Sequence, residues 1–189
     1  STASTPPAMP ATPTELTLRL ADESATGRLA AALAPCVGPG FTLYLSGDLG
    51  TGKTAFTRAL LRALGHAGRV RSPTFTLAEP YNLSSFTLYH FDFYRFSSEN
   101  EWRDAGFEES IGGETAAVVE WPELAGSGLP APDLWLRLQS ADDESSRIVR
   151  VQAHSERGQA CLNALSDTVA GAELAGVCSW VPSEPPSSP

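Results

Sequence analysis

Apolar and polar positions along the chain divide it into short elements. LTLRL (16–20) predicts a short strand. The Ala/Leu-rich stretch within 24–34 predicts a helix, with Asp22 or Ser24 as its cap and Pro35 and GPG (38–40) as its stop. FTLYLSG (41–47) is β-rich and apolar throughout, the form of a buried strand. After DLGTG, the segment KTAFTRALLRALG sets Phe56, Leu60, Leu61 and Leu64 at helical spacing and stops at Gly65. SPTFTLAEP (72–80) and FTLYHFDFYRF (86–96) flank the turn-like YNLSS and predict a hairpin or two adjacent strands. Acidic, helix-compatible sequence follows at 98–111, then a buried strand, TAAVVEW (115–121). DLWLRLQ (133–139) and RIVRVQAH (147–154) alternate with the two-residue period of half-buried strands, and RGQACLNALSDTVAG (157–171) predicts a last helix. Strand–loop–helix order with hairpins gives an α/β fold: a mixed sheet flanked by helices, with an antiparallel hairpin.

Composition sets the limits of that domain. The 189 residues fit one domain over 15–171. The Ser/Thr/Pro/Ala-rich start, 1–14, reads as a disordered arm, and 172–189, ending VPSEPPSSP, reads as a disordered tail. The start lacks the basic and apolar regions of a secretory signal, and no apolar run approaches the roughly 20 residues of a membrane span. Cys36, Cys161 and Cys178 are odd in number and form no C-x-x-C, which predicts neither a disulfide framework nor a zinc site and fits a reducing cytoplasm. The net charge of −9 argues against autonomous nucleic-acid binding. An anionic ligand would need a local device.

GDLGTGKT (47–54) supplies one. Gly47-x-x-x-x-Gly52-Lys53-Thr54 fits the phosphate-loop pattern, with a buried strand before it and a helix directly after. Its glycines let successive backbone N–H groups turn inward, and the helix N-terminus adds to their attraction for phosphate. In that pattern Lys53 reaches the β and γ phosphates, and the Thr54 hydroxyl ligates Mg²⁺. Lys53 is also the one lysine in the chain; the other twelve cationic side chains are arginine. A compact ammonium on a flexible stem fits between phosphates where a planar guanidinium is too wide.

A phosphate loop needs an acid at a neighbouring strand end. AAVVE (116–120) is four small or apolar residues ending in Glu120, the Walker-B form; a strand reaching solvent is the plain alternative. In YHFDFYR, alternation puts His90, Asp92 and Tyr94 on one face and Tyr89, Phe91 and Phe93 on the other. A carboxylate in such an aromatic run needs a partner, which a metal-bound or attacking water would supply. A sheet edge or a turn cap would also account for Asp92. SPTF (72–75), with Ser72 held extended by Pro73, lies where such proteins often sense the γ-phosphate, though a plain Ser-Pro strand start accounts for it more readily.

GDLGTGKT, SPTFTL, YHFDFYR and VVEWPE, in this order and spacing, resemble the TsaE (formerly YjeE) family over about residues 16–151. The resemblance implies a cytoplasmic, Mg²⁺-dependent ATPase of the P-loop NTPase fold. It implies work with the TsaB and TsaD proteins in making threonylcarbamoyladenosine at position 37 of tRNA, with TsaC supplying the activated donor. By position, Leu49, Gly50, Thr51, Gly52, Lys53 and Thr54 would bind the triphosphate, and Thr54 and Glu120 the metal. Asp92, with Lys53, would serve catalysis by positioning or activating water. Trp121 matches the family's tryptophan, DESAT (22–26) the stretch near the base, and Thr51 replaces a common alanine. Three other readings have separate signatures. A Ras-type GTPase needs N-K-x-D, which a chain with no second lysine does not contain. A small-molecule kinase needs a lid with clamping arginines, and no insertion has that form. A nucleotide-dependent interaction module without hydrolysis is compatible with the sequence. No arginine is clearly placed as a finger, with Arg71 and Arg95 the candidates, so slow hydrolysis by the isolated protein is expected.

Overall fold

The structure, a computed structural model, describes residues 14–71, 73, 78–94, 111, 113–126, 128–170 and 178–180. The expected helix at 98–111, Ser72, most of SPTF, Arg95 and the arm 1–13 fall outside these, apart from Pro73 and Ile111.

Strand β1 (Glu15–Leu20) leads into α1 (Glu23–Leu33), and a 3₁₀ turn over Ala34–Cys36 follows. Asp22 is the cap: its carboxylate accepts the Ala25 N–H at 2.9 Å, which satisfies one of the first-turn donors. Next come β2 (Thr42–Ser46) and α2 (Lys53–Ala63), the latter ending before Gly65, whose φ of +97° is the left-handed stop expected of it. Then follow β3 (Ala78–Asn82), β4 (Thr87–Asp92), β5 (Ala116–Glu120), β6 (Leu134–Ser140), β7 (Arg147–Ala153) and α3 (Glu156–Ala170). Ser155 caps α3 by accepting the Gly158 N–H at 2.9 Å and donating to Asp133 at 2.7 Å.

The strands form one sheet in the order β3-β4-β5-β2-β6-β7-β1-β8, where β8 is Cys178–Trp180. The tail was expected to be structureless; three of its residues instead pair antiparallel with Leu18–Leu20 of β1. Their ladder bonds come from β1's free edge, which a composition-based reading does not register. The central strands β4, β5, β2 and β6 are parallel, and β3, β7, β1 and β8 add antiparallel margins. The two predicted strands at 72–80 and 86–96 do pair antiparallel, and β4 also pairs with β5. Asp92 therefore ends an interior strand, which overturns the sheet-edge alternative.

Two cores flank the sheet. Leu29, Leu33, Phe56, Leu60, Leu162 and Leu165 of the helices pack with Leu18, Leu43, Leu45, Val118 and Leu136 of the strands. The opposite face carries a smaller cluster around Tyr44, Phe91, Phe93 and Val119. No helix among the described residues is long and apolar enough to cross a membrane.

Cys36 and Cys161 form a disulfide, with Cα atoms 5.8 Å apart. This corrects the thiol-only expectation. Cysteine count and spacing carry no sign that the 3₁₀ turn and α3 meet. The bridge joins residues 125 apart in sequence. Oxidised protein should accordingly lose about 2–4 kcal/mol on Cys161→Ser, read as a lower urea midpoint, and the difference should vanish in reductant. Equal midpoints before and after reduction of the parent would contradict the bridge.

Candidate functional site

The parallel strands β4, β5, β2 and β6 end along one edge, the usual place for a ligand in such sheets. The loop 47–52 leaves β2 there and enters α2. Gly47 has a φ of +152°, and a Cβ on it would lie 2.5 Å from the Leu138 carbonyl oxygen and 2.6 Å from Thr51 Oγ1, so only glycine fits. Gly52 caps α2 in the left-handed region, with φ +98°. The Phe56 N–H donates to the Gly52 carbonyl at 2.9 Å. The amides of Lys53, Thr54 and Ala55 are thus first-turn donors without intrahelical acceptors.

The Lys53 ammonium lies within this loop. It donates to the Asp48 carbonyl at 2.9 Å and to the Gly47 carbonyl, and sits 4.6 Å from the centre of the Trp121 ring. Burial pulls its pKa below the usual lysine range; the carboxylates of Glu120, Asp92, Glu123 and Asp48 oppose that shift. Thr51, expected in the cradle with its side chain away from phosphate, is buried and donates its hydroxyl to the Asp48 carbonyl at 2.8 Å. Leu49 is 68% exposed, the most open large apolar side chain among the described residues. Gly50 takes a φ of +80°.

Glu120 lies in register with Asp92 of β4 and Leu45 of β2. Its side chain is buried, so it is no strand end reaching solvent. Its Oε2 meets His90 Nε2 at 3.1 Å. Glu120 Oε1 and His90 Nδ1 are the two buried side-chain polar atoms among the described residues that have no hydrogen-bond partner. A buried carboxylate oxygen without a donor is costly unless a cation or water completes it. The Glu120 oxygen therefore fits a metal ligand. No three His, Cys, Asp or Glu side chains among the described residues converge on one point. Mg²⁺ needs none, since phosphate oxygens and water supply most of its shell.

Asp92 is half-buried, and its Oδ1 accepts the Tyr94 N–H at 3.0 Å. The turn-cap reading of Asp92 is thus correct for one of its oxygens. Burial pushes its pKa up, the Tyr94 N–H pulls it down, and Glu120 adds repulsion. Trp121 has φ 55° and ψ 48° and is the sole non-glycine residue at positive φ among those described. For a bulky side chain this conformation costs about 1–3 kcal/mol and persists where surrounding structure imposes it. Here the imposing contacts are the Trp121 N–H on the Leu45 carbonyl at 3.2 Å and the ring on Tyr94, centroids 5.0 Å apart.

Three features had no signal in the sequence. Ser46 Oγ links Trp135 Nε1 (2.8 Å) to Glu123 Oε2 (3.0 Å) beneath the loop. His90 was placed on Asp92's face by alternation, but its bond to Glu120 depends on strand pairing. Arg147, at the start of β7, holds the carbonyls of Gly50 and Thr51. Of the other assignments, Asp22 and the residues to Thr26 form the start of α1, and Arg71 is tied through its backbone to the Tyr81 hydroxyl at 3.1 Å.

A glycine loop between a parallel strand and a helix, with one buried lysine and a buried acid on the adjoining strand, is the arrangement of the P-loop nucleotide-binding fold. The profile of the family described as "Threonylcarbamoyl adenosine biosynthesis protein TsaE" matches residues 20–149. The relative of that name in Bacillus subtilis is 39% identical over 127 residues, spanning 67% of this chain and 77% of the relative. The one in Haemophilus influenzae is 36% identical over 125 residues, 66% and 78% of the two chains. The crystal structure of Bacillus subtilis YdiB superposes with a TM-score of 0.67 at 31% identity, covering 81% of this chain and 95% of that one. The chain belongs to the TsaE family.

Proposed function

We propose that this chain binds ATP with Mg²⁺ at Leu49–Thr54 and hydrolyses it slowly as the ATPase subunit of tRNA threonylcarbamoyladenosine biosynthesis, in the cytoplasm with TsaB and TsaD. One observation carries the reading: the buried Glu120 oxygen lacks a protein partner among the described residues, beside a loop whose first-turn amides have no intrahelical acceptors.

The chain's own groups divide the work. The amides of the loop and of the first turn of α2 receive the phosphates. Lys53 exchanges its carbonyl partners for phosphate oxygens. Glu120, steadied by His90, and Thr54 would hold the metal. When bound, Mg²⁺ would offset charge on the β and γ phosphates. Asp92 has one oxygen fixed by Tyr94 and a second for orienting the attacking water. The arginine tied to this loop among the described residues spends its donors on the Gly50 and Thr51 carbonyls, so a partner would supply the missing cation. The tRNA would be held by those partners, since this chain carries a net charge of −9.

Phosphate release from Mg·ATP tests this. The protein alone should turn over far below 10 s⁻¹, and the TsaB–TsaD pair should raise the rate, by about 10³-fold or more if it completes the site's charge. Glu120→Gln should suppress release while ATP binding in EDTA persists. Fast turnover by the isolated protein would refute the partner requirement. No release even with the pair would leave a non-hydrolysing nucleotide switch.

A further inference from the structure

We propose that Arg147 is a positioning residue for the phosphate loop, with its guanidinium locking two loop peptides from outside so that the amide ahead of α2 faces inward. The inference rests on reading 47–54 as a nucleotide site.

Arg147 donates from Nε to the Thr51 carbonyl at 3.1 Å and from Nη2 to the Gly50 carbonyl at 3.2 Å. Its Nη1 donates to the Glu144 carbonyl at 2.7 Å and the Ser146 carbonyl at 2.8 Å. The planar fork thereby ties the β6–β7 turn to the loop. In a planar trans peptide, C=O and N–H point opposite ways. Holding the Thr51 carbonyl outward turns the Gly52 N–H to the other side. Holding the Gly50 carbonyl sets the Thr51 N–H, which donates to Asp48 at 3.3 Å. These peptides lie between Gly50 and Gly52, both at positive φ, where the backbone is otherwise free to turn over.

The anchor is itself braced. Asp143 accepts the Ser146 N–H at 2.8 Å and pairs with Arg19 at 3.1 Å, and Arg19 also donates to Ser146 Oγ at 3.0 Å. Ser145 donates to the Ala21 carbonyl, just ahead of α1, at 3.3 Å. All four acceptors of Arg147 are backbone carbonyls, and no carboxylate among the described residues pairs with it. A loop set before the ligand arrives does not pay for ordering on binding.

Two variants separate geometry from charge. Arg147→Met removes both; Arg147→Lys keeps the charge and loses the fork. Both should weaken ADP and ATP by the same factor, about 10-fold, because both nucleotides carry the diphosphate that the loop receives. In the nucleotide-free protein both should speed amide hydrogen exchange over 50–54 and leave β2 and β5 unchanged. Parental affinity in either variant, or unchanged exchange in the loop, would overturn the proposal. Should Arg147→Met fail to fold, Arg147→Lys carries the same test. If the parent binds neither nucleotide while loop exchange still rises in the variants, the nucleotide reading fails and the positioning role stands.

Discussion

Asp92→Asn is expected to lower phosphate release about 10²–10⁴-fold, the usual contribution of a positioned acid–base group, while the fold becomes no less stable. The two effects separate because the carboxylate is held against its own solvation. It ends an interior strand in register with Glu120, a second carboxylate. Burial raises its pKa above the ordinary 3.8, and Glu120 pushes the same way. The folded, ligand-free protein therefore binds this proton more tightly than the unfolded chain does. The associated stability is present at low pH and is lost as pH rises through the raised folded value. Asparagine keeps an acceptor for the Tyr94 N–H and carries no charge. The variant should lose that part of the pH slope, read from urea midpoints at several pH values without nucleotide. A variant that hydrolyses ATP at the parental rate, or that unfolds at neutral pH, would remove Asp92 from its assigned role.

Lys53→Ala should weaken ATP binding roughly 10- to 150-fold, the factor given by losing charge-assisted hydrogen bonds of about 1.5–3 kcal/mol. Arginine should not restore it, since a rigid fork is wider than the ammonium held between the Gly47 and Asp48 carbonyls. Titration calorimetry with ATP decides the matter, and unchanged affinity would contradict the placement of the β and γ phosphates at this side chain.

Much of this architecture is written in local pattern. Asp22 at the start of α1, Gly65 past the end of α2 and the unbroken apolar run of β2 each declare themselves through short-range chemistry. GDLGTGKT does so too, because a phosphate loop needs its glycines and lysine at fixed offsets. Contacts that depend on strand order were not legible. His90 meets Glu120 across 30 residues of sequence because β4 and β5 are parallel neighbours. Cys36 meets Cys161 for a similar reason, through the docking of α3. Arg147 is the clearest case: its partners are backbone carbonyls, which any residue type supplies, so no side chain elsewhere marks where it will bind. The tail strand β8 was masked by proline- and serine-rich neighbours whose composition outweighed three residues of pairing.

The resting position of the Lys53 ammonium bears on which molecules can enter. It already has two oxygen partners from its own main chain, so an incoming compound must offer oxygens good enough to win it away. A nucleoside monophosphate, with no second phosphorus to span the turn, has little to trade. The protein would thus rank candidates by the length of their phosphate chain before it reads any base.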